Sequence, residues 1–299
     1  MNDNLRGALL MLLAMALFRL NETCTKLLAE SLPLTQIVTL RGIIISLGTL
    51  AIAWRMRALS RPRTRRGWTL LSVRSLSEVG AAFLFLLALI NMPLANLTAI
   101  AQSAPLLLTL TAALFLKEPL GWRRLSAILT GLLGVLIIVR PGPDGFSIFA
   151  AYALGSVVIG ILRDLTTRRM PREISSMTVT LCSAATVTGC FGLAALVSGD
   201  DWQPIDLWAA ALILGAAIAV LIAFIASITA MRIGDLAYIS PFRYSGLVWA
   251  LVIGFVVFDD WPSGSTLLGA AIVVGSGLFM IYRERRLGLL HSPKAPPGH

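Results

Sequence analysis

The chain has 299 residues, of which 57% are hydrophobic and 13% charged, with a formal net charge of +10. Soluble domains carry about 25% charged residues, so this low share, with a mean hydropathy of +0.83, excludes an ordinary soluble domain and indicates a polytopic membrane protein. The positive charge does not imply a nucleic-acid partner, because most Lys and Arg sit in short loops between apolar runs, which is the positive-inside pattern.

Ten apolar runs have the roughly 17–25 residues that a bilayer core requires. They are predicted near 7–29, 34–54, 69–91, 95–116, 123–139, 147–166, 174–197, 207–231, 236–258 and 266–282. The first continues past signal-peptide length, is interrupted by charge and is closed by no A-x-A site, so it reads as a span rather than a cleaved leader. The connections alternate in charge. Segment 55–66 (RMRALSRPRTRR) holds six arginines, and 117–124, 168–172, Arg232 and 283–286 are also basic. Segments 30–33, 92–94, 198–206 and 259–265 carry no Lys or Arg, and 140–146 carries only Arg140. Both termini are therefore expected in the cytoplasm, and the Pro-rich tail 291–299 is expected to be disordered. The three cysteines (Cys24, Cys182, Cys190) form no CxxC pair and read as packing residues.

Sliding the chain by 142 residues lays NETCTK (21–26) on RDLTTR (163–168), so that Glu22 meets Asp164, Thr25 meets Thr167 and Lys26 meets Arg168. The same gapless offset puts Leu94-Ala95 on Leu236-Ala237, Thr98 on Ser240, Ser103 on Ser245 and Glu118 on Asp260. This predicts two repeats, 1–146 and 147–290. With five spans each, an odd number, the second must be inverted relative to the first. The fold class is thus an all-α integral membrane protein of ten transmembrane helices in two inverted five-helix repeats.

The order of motifs resembles the ten-helix EamA-type members of the drug/metabolite transporter superfamily over residues 7–284. The carriers are NETCTKLLAESLP at 21–33, MPLANLTAIAQSAPLL at 92–107, LKEPLGWRRLSAILTGLLGVLIIVRPG at 116–142 and PFRYSGLVWALVIGFVVFDDWP at 241–262. The second E-x-P-type element, Asp260-Trp261-Pro262, departs from the pattern of the first. The resemblance implies a bacterial inner-membrane carrier of small metabolites, often an exporter, with helices one, three, four, six, eight and nine around a central cavity and five and ten peripheral. Spans five and ten are the most uniformly apolar, and Gly131, Gly134, Gly275 and Gly277 suit close helix packing.

Within the spans, Arg19 stands about 18 Å from the cytoplasmic end of its helix at 1.5 Å per residue. An arginine there costs about 2.5–3.5 kcal/mol on insertion scales, so it needs water, a substrate anion or a carboxylate such as Glu22 or Glu78. A cavity-facing role and an internal structural pair are the two readings, and the first is favoured. Glu22 with Lys26, and Arg74 with Glu78, are spaced to pair along one helix face; either pair is a salt bridge or part of a substrate site. Lys26 and Arg168 lie near opposite span ends, where snorkelling accounts for them.

Gln102 and Tyr244 correspond at the 142-residue offset, and Pro105 and Pro241 interrupt the same spans. Tyr152, Ser156 and Trp249 offer ring faces and a hydroxyl at mid-depth, with ordinary packing as the competing role for each. The expected substrate-binding set is Arg19, Glu22, Glu78, Gln102, Tyr152, Ser156, Tyr244 and Trp249; Lys26, Arg74, Asp164, Arg168 and Arg243 are expected as gating or charge pairs. Six cations against three carboxylates within spans favour an anionic or zwitterionic solute.

Both histidines lie in the tail, and there is no HExxH or GxSxG, so neither an enzyme, a metal site nor a resident cofactor is expected. The expectation is a secondary carrier of a small amino-acid-like solute working by alternating access, with Glu22 or Glu78 as candidates for a coupling proton. The alternative is a larger cofactor-like cargo such as S-adenosylmethionine or riboflavin. A small solute and the lipid bilayer are the partners implied, with the protein a monomer or homodimer.

Overall fold

The computed structural model describes residues 3–116, 121–139, 147–171, 173–233 and 236–286. The tail 291–299 lies outside them. All regular elements among the described residues are helical, and ten helical stretches are long and apolar enough to cross a membrane. In order these are α1 (Asp3–Leu28), α2 (Leu34–Arg55), α3 (Arg65–Asn91), α4 (Leu94–Ala101) and α5 (Ala104–Leu116), α6 (Trp122–Val139), α7 (Ile148–Arg168), α8 (Ser176–Ser198) and α9 (Leu207–Ile233). A short α10 (Leu236–Ile239) and a 3-10 turn (Ser240–Tyr244) lead into α11 (Ser245–Phe258), and α12 (Gly264–Arg286) follows. The ten expected spans are all present, with the fourth divided into α4 and α5 and the ninth into α10, the turn and α11.

Local chemistry explains where the helices start and stop. Thr64, Ser147 and Ser175 cap α3, α7 and α8 by accepting the N–H of Gly67, Phe149 and Thr178. Pro33 and Pro93 precede α2 and α4, where a missing N–H costs nothing. α8 ends at Gly199 with φ +67, a left-handed conformation that glycine adopts freely.

The two divided spans break at equivalent places. Ser103 donates to the carbonyl of Ile100 at 2.6 Å, and Ser245 donates to that of Phe242 at 2.6 Å. Both residues and both acceptors correspond at the 142-residue offset. Each break stands beside a proline, Pro105 or Pro241, whose ring cannot continue the ladder.

Helix packing has the same two-fold pattern. α1 packs on α9 and α3 on α7, and exchanging the halves turns one pair into the other. The pairs α2–α8, α4–α11 and α6–α12 each map onto themselves. The largest apolar core runs through Leu89, Leu97, Leu106, Ile128, Leu247 and Val273, joining both halves. Large apolar side chains such as Leu196 and Leu207, 82% and 88% exposed, point outward where lipid would cover them.

α6 and α12 approach closely: a Cβ on Gly134 would stand 2.8 Å from the carbonyl oxygen of Gly269. Gly131 is tight against Leu106, and Gly277 against Tyr244. Gly275, expected to serve the same packing, has open space beside it, because it turns away from the α6 seam.

Hydrogen bonds seal both ends of the bundle. The buried Gln36 side chain donates to the Gln203 carbonyl at 2.8 Å and accepts the Gln203 N–H at 3.0 Å. At the equivalent position of the other half, Thr178 donates to the Ser60 carbonyl at 3.0 Å and accepts the Ser60 N–H at 2.8 Å.

Candidate functional site

A cavity of about 480 Å³ opens between the halves. Its wall is built by α1, α3, α4, α7 and α11, the 3-10 turn before α11, and single residues of α2 (Arg41) and α5 (Ala104). It contains Arg19, Glu22, Glu78, Gln102 and Ser156 of the expected binding set, and Asp164 and Arg243 of the expected charge pairs. Residues of α9 do not line it among the described residues. The eighth span, expected at the cavity, packs instead behind the first, with Phe18 edge-on to Phe224 at 5.3 Å. The second span, not expected there, contributes Arg41.

One charged cluster centres on α1. Arg19 Nη1 stands 2.5 Å from Glu22 Oε2 and donates to Thr98 Oγ1 at 2.8 Å. Arg19 is thus both ion-paired and cavity-lining, so the two readings of it are not exclusive. Arg41 donates to Asn21 Oδ1 at 2.8 Å and Thr25 Oγ1 at 2.7 Å. The Nε atoms of Arg19 and Arg41 are buried with no hydrogen-bond acceptor in reach. A buried donor left unmade is costly, so the cluster has unused capacity for an oxygen acceptor.

Glu22 does not pair with Lys26, as spacing alone suggested. Lys26 turns outward along α1, donates to the Met92 carbonyl at 2.8 Å, and lies 3.9 Å from Asp260 Oδ2 and 4.8 Å above the Phe258 ring. It ties α1 to the loop that follows the ninth span. The side chain of Arg168, its counterpart, lies outside the described residues.

A second cluster stands between α3 and α7. Glu78 pairs with Arg163 at 3.2 Å and with Arg74 at 3.6 Å, and Arg163 also holds Asp164 at 2.8 Å. Arg74 further donates to Thr167 Oγ1 at 3.1 Å and to Ser183 Oγ. At the offset, Thr167 and Ser183 are the counterparts of Thr25 and Arg41. Each half therefore ties its first span to its second at this level, one through its own Arg41 and the other through an arginine from α3.

Three aromatic expectations are placed elsewhere. Tyr152 packs edge-on to Phe149 with ring centroids 6.1 Å apart. Tyr244 is buried and directed at Gly277 of α12, and Trp249 is on the outer surface, 38% exposed. None lines the cavity. Arg243, expected in a charge pair, makes no ion pair with any described carboxylate. Its carbonyl accepts Gln102 Nε2 at 3.2 Å, so the two span breaks meet at the cavity. Residues not singled out for binding but found at the wall are Asn21, Thr25, Arg41, Thr98 and Arg163. The sequence signal for Arg41 is its standing as the single charge inside span two.

A ten-span bundle with charged groups gathered around a central cavity is the arrangement that a membrane carrier requires. Residues 5–140 match the EamA-like transporter family model, so the chain carries an EamA domain there. The relatives agree. A riboflavin transporter of Vibrio cholerae is 27% identical over 94% of this chain and 95% of its own. A pseudopaline exporter of Pseudomonas aeruginosa is 26% identical over 90% of this chain and 93% of its own. An S-adenosylmethionine uptake transporter of Rickettsia bellii is 27% identical over 65% of this chain and 66% of its own. A solved crystal structure, 21% identical, superposes with a TM-score of 0.65 over 95% of this chain and 98% of that one, a likeness of fold alone. The chain is thus a multi-pass membrane protein by its ten apolar helices, and both the family match and the relatives are transporters of the class that its sequence resembles.

Proposed function

We propose that the protein is a secondary carrier of a small zwitterionic or anionic, amino-acid-like metabolite across the bacterial inner membrane, working as an exporter or exchanger with both termini in the cytoplasm. The two halves, 1–146 and 147–290, rock about the cavity as inverted repeats. The observation that carries this reading is the cavity wall itself, where Arg19, Arg41, Arg163 and Arg243 outnumber Glu22, Glu78 and Asp164. A positively biased, low-dielectric cleft concentrates anions. The helix pairs α1–α9 and α3–α7, which interchange when the halves are exchanged, support the inverted-repeat reading.

Arg19, Glu22, Glu78, Gln102 and Ser156 form the binding wall in this reading. Glu22, set between Arg19 and Arg41, and Glu78 are the two carboxylates proposed to carry a coupling proton.

A second reading follows from the relatives, whose named cargoes include riboflavin and S-adenosylmethionine. A cavity of about 480 Å³ is within the range for a ligand of that size, but its wall presents more charge than a flat neutral ring requires. Thermal stabilisation of the purified protein by amino acids and carboxylates, set against riboflavin and S-adenosylmethionine, separates the two. Stabilisation by riboflavin or S-adenosylmethionine alone overturns the first reading.

A further inference from the structure

The four arginines of the cavity wall differ in how they are satisfied. Arg19 is held by Glu22 and Thr98, Arg163 by Glu78 and Asp164, and Arg41 by Asn21 and Thr25. The Arg243 side chain has neither an ion pair nor a hydrogen bond with any described residue, yet it lines the cavity and is exposed to it. It also stands where the ninth span is broken, on the 3-10 turn Ser240–Tyr244, facing the equivalent break of the fourth span through Gln102.

A guanidinium is always charged and offers five donors in a planar fork. Inside a membrane-spanning bundle such a group is retained where it pairs, faces water or meets a substrate. Arg243 has no side-chain partner among the described residues, so the last two remain, and a cavity between two helix breaks supplies both.

We infer that Arg243 is the residue that receives an anionic oxygen group of the cargo, a carboxylate or a phosphate, while Arg19 and Arg41 keep their protein partners. This deepens the proposed transport function and rests on the same cavity. The turn gives the inference a geometric basis. The Arg243 backbone is fixed by Gln102 from the opposite half, so a cargo held by its side chain bridges the two halves at their seam. Specificity then divides: Arg243 selects for the anion, and the paired clusters on either side set which remaining groups are accepted.

The test uses the full-length wild-type protein in nanodiscs and needs no knowledge of the natural cargo. Phenylglyoxal modifies accessible arginines, and mass spectrometry reads the extent at each site. Arg243 is expected to react ahead of Arg19, Arg41 and Arg163. Glutamate, succinate or inorganic phosphate at ten times its Kd is expected to slow its modification roughly tenfold by simple occupancy, leaving the loop residue Arg61 unchanged. Protection by the carboxylates and not by phosphate identifies a carboxylate cargo, and the reverse identifies a phosphate.

Arg243→Gln is expected to weaken binding of the protecting anion by about tenfold or more, and Arg243→Lys to recover part of it. An Arg243 that resists modification, or reacts at one rate with and without every anion, overturns the inference. Protection at Arg243 in a protein that moves no amino acid or carboxylate leaves the anion site standing and overturns the cargo instead.

Discussion

Arg19 shows how a charge can sit at mid-membrane without being left over. The carboxylate of Glu22 is one helical turn away, and the Thr98 hydroxyl of α4 takes a second donor. The pair still lines the cavity, so it orders the wall. Arg19→Ala is expected to reduce transport at least about tenfold, on the scale of losing one buried charged partner. Full transport by that variant removes Arg19 from the site. Trp249→Ala is expected to leave transport unchanged, since Trp249 points away from the cavity.

Arg19, Glu22, Glu78 and Ser156, expected at the cavity, line it because each lies on an uninterrupted run of helix, where depth and face follow from counting. Tyr244 does not, because it stands on a 3-10 turn that alters the rotation per residue. That turn directs its ring at Gly277 rather than into the cavity. A Cβ at position 277 meets that ring, so Gly277→Ala is expected to cost about 1–3 kcal/mol as overpacking does. Tyr244→Phe, which removes the hydroxyl at the point of conflict, is expected to recover part of the loss. Equal melting temperatures for wild type and Gly277→Ala count against this packing.

At the scale of elements, the pairing of helices was less legible than their extents. All ten spans lie within a few residues of their expected bounds, because length and apolar content are local properties. Which helix meets which is not local. Spacing offered Lys26 to Glu22, while the fold gives it Asp260, Phe258 and the Met92 carbonyl from elements far along the chain. The end seals belong here too. Gln36 is buried and exchanges two hydrogen bonds with the Gln203 backbone. Gln36→Ala strands both backbone groups and is expected to cost about 1–3 kcal/mol, read as a lower melting temperature of the detergent-solubilised protein.

Beside that seal, hydrogen bonds from Thr35 and Ser198 hold the Asp200 carboxyl below its ordinary range. A depressed folded-state pKa stabilises the protein above the unfolded value, about 3.9 for aspartate. That contribution disappears as pH falls through the lower folded value. Thr35→Val is expected to remove this acid sensitivity at the seal, and an unchanged pH profile of melting contradicts it.

For the whole molecule, the 142-residue offset carries furthest. The residues it relates include the two breaks, the two serine hydrogen bonds at them and the side chains of Gln36 and Thr178 that seal the two ends. The structure departs from symmetry mainly in charge: Arg41 of the first half has Ser183 as its counterpart, and Arg74 crosses from α3 to reach it. That asymmetry gives the cavity wall its positive bias, and it rests on contacts between helices that no repeat in the sequence announces. The composition of the wall was only partly foreseen for the same reason. The family resemblance implied the eighth span, whereas Arg41 brings in the second.

The measurement that bears most directly on the account is uptake by the purified protein reconstituted in proteoliposomes, with labelled amino acids, dicarboxylates, riboflavin and S-adenosylmethionine offered in parallel. The account predicts saturable movement of an amino acid or small carboxylate, sharply reduced in Arg19→Ala. Movement of riboflavin or S-adenosylmethionine with no amino acid or carboxylate transported contradicts it.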